Sequence, residues 1–166
     1  LSFLGIPQLR GYTPGEEFTV FEVPTFQFGV TICWENIFPN LVRRFVKKGA
    51  RFIVNITNEA WFGKTSTSYQ FFAMSVFRAV ENRVSVVRCA NTGVSCFINP
   101  NGRIIGKVEH DNKDTFVKGY LTKKIPLSKE KTFYTVYGDI FANISIIITI
   151  MMFFLAVMKS KKTSIK

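Results

Sequence analysis

From Ile140 to Met158 the chain reads IFANISIIITIMMFFLAVM, nineteen residues without a charge, followed by KSKKTSIK. At about 1.5 Å of rise per residue such a helix is about 28 Å long, close to the roughly 30 Å of hydrocarbon in a bilayer. No other feature constrains the fold as much, because a helix apolar on every side has to be surrounded by protein core or by lipid. Asn143 and Ser145 near one end and the lysines past the other favour lipid. Lys159, Lys161, Lys162 and Lys166 follow the run, and Lys123, Lys124, Lys129 and Lys131 precede it. The two flanks are equally basic, so the positive-inside rule leaves the orientation open.

The rest of the chain has the composition of a folded domain. Of 166 residues, 47% are hydrophobic and 20% charged, which excludes a disordered class and suits one domain with a modest core. Eighteen phenylalanines fit a heavily buried or membrane-adjacent protein. The net charge of +11 is spread along the chain with no stacking array or recognition motif beside it, so nucleic acid is not expected as a partner. Anionic lipid attracts the same charges. Cys33, Cys89 and Cys96 lack metal-type spacing, and no disulfide framework, metal site or cofactor is expected. Cys89 and Cys96 lie in apolar runs and read as core. His110 is the sole histidine, in a polar loop, which argues against a Cys-His or Ser-His-Asp machine. The opening stretch, LSFLGIPQLRGYTPGEE, reads as the middle of a larger protein.

Periodicity predicts strands at Phe18 to Val23 and Phe26 to Ile32, a helix at Phe38 to Lys48 capped by Gly49, and a strand at Arg51 to Ile56. A helix at Ser68 to Asn82 follows, then strands at Val84 to Cys89 and Val94 to Ile98. The NPNG turn at Asn99 to Gly102 predicts a hairpin into Arg103 to Lys107, and a last strand is expected at Phe116 to Leu121. Strands alternating with helices define an α/β class. Tyr69, Phe72, Val76, Ala79 and Val80 mark one face of the second helix, while Phe71 and Phe77 off that face suggest burial on more than one side. Arg78, Glu81 and Arg83 near its end suit ion pairing and helix termination.

Two loops attract attention. TICWEN places Cys33 at the carboxyl end of a strand, beside the turn into a helix, where α/β active sites collect. TNEAWFGKTSTSYQ, Thr57 to Gln70, gathers Asn58, Glu59, Trp61 and Phe62 at the end of the next strand, and such loops carry function more often than packing.

TICWEN, NITNEAWFGKTSTSYQFFAMSVFRAVENRVSVVRCANTG and FINPNGRII, in that order, resemble the nitrilase, or carbon-nitrogen hydrolase, superfamily. Within it the resemblance is to the membrane-bound N-acyltransferases that complete bacterial lipoprotein maturation. Cys33-Trp34-Glu35 matches that branch's nucleophile triplet, Thr57 to Gly63 its S/T-N-D/E-A-W-F-G stretch, Arg78 to Arg83 its R-A-x-E-x-x-R helix, and Asn91 to Gly93 its N-T-G turn. TFYTVYGDIF, Thr132 to Phe141, looks like the segment leading into the final transmembrane helix.

The resemblance implies a partial αββα sandwich, its carboxyl-terminal half, over residues 1–125, then a linker at 126–139, a transmembrane helix at 140–158 and a basic cytoplasmic tail at 159–166. It implies that Cys33 is the nucleophile of a Glu-Lys-Cys triad, with the backbone N–H of Trp34 as an oxyanion donor. Glu35 either fixes the turn or takes part in chemistry, and Asn58, Glu59, Trp61 and Phe62 contribute to substrate binding. A phospholipid acyl donor and a diacylglyceryl lipoprotein acceptor follow as partners, on the periplasmic side of the inner membrane. Two departures stand out. Trp34 replaces the usual tyrosine, losing its hydroxyl, and the triad lysine and glutamate belong to family segments upstream of those matched, a vacancy that Glu16, Glu17 and Lys64 do not fill. A carboxyl-terminal fragment of a longer enzyme is therefore expected, inactive and poorly soluble alone. A tethered amidase hydrolysing C–N bonds and a non-catalytic anchored domain are the competing expectations.

Overall fold

The computed structural model describes residues 15–163, with side chains to residue 159. The opening segment through residue 14 and residues 164–166 of the basic tail lie outside the described residues. The strands are β1 (Val20–Val23), β2 (Phe26–Ile32), β3 (Phe52–Thr57), β4 (Ser85–Ala90), β5 (Cys96–Ile98) and β6 (Ile104–Lys107). The helices are α1 (Pro39–Lys47), α2 (Thr67–Asn82), α3 (Phe133–Tyr137) and α4 (Ile140–Thr163). All six strands form one sheet in sequence order, parallel across β2, β3 and β4 and antiparallel at both margins.

Local chemistry sets the boundaries. Pro39 occupies the first turn of α1, where a missing N–H costs nothing. Gly49, at φ +118°, follows the cap residue Lys48 and ends the helix in a conformation that disfavours a side chain. Between β2 and α1, Gly29 lets the layers approach, since a Cβ there would lie 2.8 Å from Cβ of Phe45. Val42, Phe45 and Val46 from α1 meet Ile53, Val86, Cys96 and Ile98 from the sheet in the core, together with Ala79 of α2. Full burial of each large apolar side chain stabilises the fold by about 1.5–3 kcal/mol.

The two faces of the sheet differ. Helices α1 and α2 cover one. The other carries Phe21, Phe28 and Phe52 in a stacked row and the half-exposed Ile32 and Ile56. Cys89 stands on that open face and is exposed, contrary to the expectation of a core residue, whereas Cys96 is buried among core side chains. Strand alternation places them apart, because Arg88 rather than Cys89 registers with Cys96 and shares its face.

The strand expected at Phe116 to Leu121 does not form. That stretch crosses the open face irregularly, with Leu121 against Gly106 and with Val117 and Tyr120 beside Val87 and Phe97. It packs across β5 and β6 and makes no ladder with an edge strand. Helix α2 also departs from expectation: Tyr69, Phe77 and Val80 are exposed, and the buried side is Ser68, Phe71, Ser75, Arg78, Ala79 and Asn82. Polar partners beneath the helix, described below, make that side the inner one.

Residues 126–139, expected as a linker, contain α3, which is fastened to the helix layer. Thr132 caps α3 by accepting from the Thr135 N–H at 2.9 Å and donates to the Glu81 carbonyl at 2.6 Å. Thr135 donates to Asn82 Oδ1 at 3.0 Å, and Arg43 Nη1 donates to the Thr135 carbonyl at 3.1 Å. Helix α4 leaves this joint with a mean hydropathy of 2.5 over Ile140–Lys159 and no residue of the span buried. Ser145 and Thr149 donate to carbonyls one turn back at 2.9 and 2.8 Å, so neither hydroxyl is left without a partner. Among the described residues α4 is the one helix long and apolar enough to cross a membrane.

Candidate active site

The site grows from the carboxyl ends of the three parallel strands. After β2 the chain enters a 3-10 turn, Cys33–Ile37, and Cys33 adopts φ +51°. A non-glycine residue in this region is strained by about 1–3 kcal/mol and persists only where its surroundings enforce it. Glu35 folds back across the turn, its carboxylate accepting from the Ile32 N–H at 2.7 Å. Trp34 is the second residue of the turn, where the first N–H groups have no acceptor within the helix. Its ring lies edge-on to Phe71 and Phe62, at 4.9 and 6.2 Å between centroids.

The Cys33 thiol faces the Asn58 carbonyl, Sγ to O 3.9 Å. An open cleft of about 450 Å³ lies beside it, lined by Ile32, Cys33, Ile56, Asn58, Cys89 and Ala90 among others. The cleft is continuous with the apolar side of the sheet. Of the loop residues singled out in the sequence, Asn58 and Trp61 are exposed and Phe62 is half-buried against Trp34 and Phe71. Glu59 is fully buried and turned away from the cleft, its carboxylate paired with the Arg88 guanidinium. Gly93 leaves the space for that carboxylate, since a Cβ there would run into it. Lys64 sits apart, its ammonium 5.6 Å from the centroid of the Phe116 ring.

Sequence reasoning missed the polar layer under the site. Arg88 Nη1 donates to Asn55 Oδ1 at 2.8 Å and to Ser75 Oγ at 3.3 Å, and Nε donates to the Val94 carbonyl at 3.1 Å. Asn55 Nδ2 donates to the carbonyl and to the hydroxyl of Thr31, each at 3.2 Å, and Asn36 Nδ2 donates to Ser75 Oγ at 2.8 Å. Burial pulls the Arg88 guanidinium below its usual range, and the Glu59 carboxylate opposes this. The signal was present in the sequence as single polar residues inside apolar strands, Asn55 in FIVNIT and Arg88 in SVVRCA. A buried charge of this kind requires a partner.

Arg78 and Glu81 form an ion pair at 2.9 Å, and Arg83 takes the left-handed conformation that ends α2, as their positions suggested. Burial lowers Arg78 and raises Glu81, each opposed by the charge of the other. Glu81 belongs to the α3 joint, while Arg78 Nη1 also donates at 3.4 Å to the carbonyl of Ile37, the last residue of the Cys33 turn.

A strained cysteine at the carboxyl end of a parallel strand, in a sheet covered by helices on one face, is the arrangement of a class of enzymes that act through a thiol. The chain belongs to the carbon-nitrogen hydrolase family, whose sequence profile matches residues 7–131. It is 42% identical over 131 residues to the apolipoprotein N-acyltransferase of Geobacter metallireducens, covering 79% of this chain and 24% of that protein. With the apolipoprotein N-acyltransferase of Borreliella burgdorferi it shares 34% identity over 160 residues, covering 95% and 29%. The chain thus spans about a quarter of the length of these curated relatives. Among solved structures it is similar to Saccharomyces cerevisiae Nit3, a member of branch 10 of the nitrilase superfamily, with a TM-score of 0.50 at 26% identity over 61% of this chain and 40% of that one.

Proposed function

We propose that the chain carries the nucleophile and the membrane anchor of an N-acyltransferase that modifies lipoproteins. In the first step the Cys33 thiolate attacks the ester carbonyl of a phospholipid, forms a thioester, and expels the lysophospholipid alcohol. In the second, the α-amine of a diacylglyceryl-cysteine attacks the thioester, forms an amide, and returns the thiol. A thioester suits this relay because it holds the acyl group covalently yet yields to an amine. The Trp34 backbone N–H stabilises the developing oxyanion, and Glu35 holds the turn that presents it. The family's lysine and glutamate serve as cation and general base, contributed by sequence outside the motifs matched here.

One observation carries this reading above a soluble amidase. The cleft at Cys33 is apolar, and the domain that holds it is hydrogen-bonded to α3, from which the chain runs directly into a helix of membrane length. Both proposed substrates reside in a bilayer, and a domain fixed to a spanning helix meets them there. On this reading the domain faces the periplasm and the basic tail the cytoplasm.

The test is to incubate the full-length gene product with phospholipid labelled in its acyl chain, first alone to trap the intermediate and then with a diacylglyceryl-cysteine peptide as the amine acceptor. Hydroxylamine-sensitive label on Cys33, lost together with transfer in Cys33→Ser, is the expected outcome. Release of free fatty acid without acylated amine assigns hydrolysis instead, and an active Cys33→Ser discards the thiol mechanism.

A further inference from the structure

We infer that Arg88 is a positioning residue for Cys33, the common anchor of three hydrogen-bonded arms that hold the strained nucleophile turn and the loop opposite it. The inference rests on the thiol reading above and adds to it a residue that no part of the proposed chemistry calls upon.

The first arm reaches the strand entering the turn. Arg88 Nη1 holds Asn55 Oδ1, and the Asn55 amide in turn holds both the carbonyl and the hydroxyl of Thr31, two residues before Cys33. A second arm reaches the chain leaving the turn: the same Nη1 contacts Ser75 Oγ, which accepts from the Asn36 amide, three residues after Cys33. The third reaches across the cleft. Nη2 is paired with the Glu59 carboxylate, and the Glu59 N–H donates to Asn91 Oδ1 at 2.9 Å while Asn91 Nδ2 donates to Asn58 Oδ1 at 2.7 Å. Those contacts fix the peptide whose carbonyl, that of Asn58, faces the Cys33 thiol. One planar guanidinium therefore sets the backbone on both sides of the nucleophile and the group in front of it.

Two features separate this from an ordinary buried ion pair. Cys33 stands at φ +51°, a conformation its own sequence does not favour, so the turn needs its flanks held in addition to the Glu35–Ile32 contact within it. Thr31, Asn36, Asn55, Glu59, Ser75 and Arg88 are also all nearly inaccessible to solvent, so water does not substitute readily for a lost contact. A lysine preserves the charge opposite Glu59 but lacks the fork that reaches Asn55, Ser75 and Glu59 together.

The experiment uses the full-length gene product and two variants. Arg88→Lys removes the fork, and Ser75→Ala cuts only the Asn36 arm. For each we measure kcat and KM for acyl transfer, the rate of Cys33 alkylation by iodoacetamide read by peptide mass, and the melting temperature. Displacement of a reacting group by about 1 Å costs on the order of 100-fold in rate, so kcat is expected to fall about 100-fold in Arg88→Lys and about tenfold in Ser75→Ala, with KM within about twofold. The Cys33 alkylation rate should change in both variants, in protein that still melts cooperatively. Melting temperatures that fall while kcat and the alkylation rate of the folded protein stay at parental values overturn the inference and leave Arg88 a packing residue. If Arg88→Lys does not fold, Ser75→Ala decides alone by the same criteria. An active Cys33→Ser would sink the acyl-transfer reading, yet the alkylation comparison would still test the positioning.

Discussion

Strand β3 displays both faces of the sheet in six residues. Ile53, Asn55 and Thr57 point toward α1 and α2 and are buried; Phe52, Val54 and Ile56 point away, and Ile56 is 45% exposed. The same contrast runs through β4, where buried Arg88 alternates with exposed Cys89. In a sheet with one solvated face, the outer residues are polar and the inner ones apolar. Here the covered face holds a polar network beside its apolar core, and the uncovered face is aromatic and aliphatic. The departure from that pattern has two separate reasons. The covered face must fix a strained turn, which takes directed hydrogen bonds, and the open face has the composition of a layer that packs against another sheet, as in a four-layer sandwich.

The largest effect that probes this contrast concerns the two cysteines on opposite faces. Burial pushes the Cys96 thiol up to about 12, so at pH 8 roughly one molecule in ten thousand is ionised there. In the 166-residue chain held in detergent, iodoacetamide at pH 8 should modify the exposed Cys89 far faster than Cys96, which is buried and almost wholly un-ionised, since only the thiolate reacts. Similar rates by peptide mass would erase the distinction between the faces. The Cys96 rate should climb about tenfold per pH unit until the thiol titrates.

Next is the charge on the covered face. Arg88→Met leaves the Glu59 carboxylate buried and unpaired and should cost about 3–5 kcal/mol in urea unfolding. Adding Glu59→Gln should restore the part of that loss due to the unpaired charge, while Asn55 Oδ1 and the Val94 carbonyl still lack their donor. A single variant as stable as the parent would mean that the face tolerates an isolated charge and that the ion pair is not what holds it.

A smaller difference is expected within β3 itself. Ile53→Ala removes fully buried side-chain volume and should cost about 2–5 kcal/mol. Ile56→Ala, three residues along on the open face, should cost less than about 1 kcal/mol in the same chain. Equal losses would indicate that the open face is already covered, and the same pair measured in the full-length gene product would report whether another layer covers it there.

The smallest expected effect lies at the margin of the sheet. Lys107 Nζ is 2.7 Å from Asp114 Oδ2, and Tyr69 donates to Asp114 Oδ1 at 2.8 Å. Burial pushes the Asp114 carboxyl upward, but the hydrogen bonds from Lys107 and Tyr69 outweigh it and hold the group below its ordinary range. A lowered carboxylate contributes stability that is present above its unfolded value of about 3.9 and is lost as pH falls through the lower folded value. Asp114→Asn should reduce stability at neutral pH by under about 1 kcal/mol and flatten the acid side of the melting profile. A profile unchanged in shape would remove this pair from the stability of the β6 margin.

Much of the fold was legible because its signals are local. The run FQFGVTI, Pro39 with Gly49, and the NPNG turn each declare an element within a few residues, and β2, α1 and the β5–β6 hairpin lie where they indicate. The place of Cys33 at a strand end was legible for the same reason: strand, turn and helix are adjacent around it. The Arg88 network was not, because its partners Asn55, Glu59 and Ser75 lie 33, 29 and 13 residues away along the chain. Periodicity gives two faces to a strand without saying which one is covered, and Cys89 was misplaced on that account. The stretch Phe116 to Leu121 has the residues of a strand, and what it lacks is a hydrogen-bonding partner.

By itself, the sequence determined that a helix apolar all round follows an α/β sheet, and that a cysteine stands at the carboxyl end of a strand beside the turn into a helix. Both depend on side-chain periods of a few residues, which the backbone geometry enforces wherever the chain lies. Only the tertiary structure decided that α2 turns its polar side inward, that one guanidinium ties three segments together beneath Cys33, and that α3 fastens the apolar helix to the domain. Those outcomes depend on which distant groups satisfy one another once water is excluded, a condition that exists only in the folded chain.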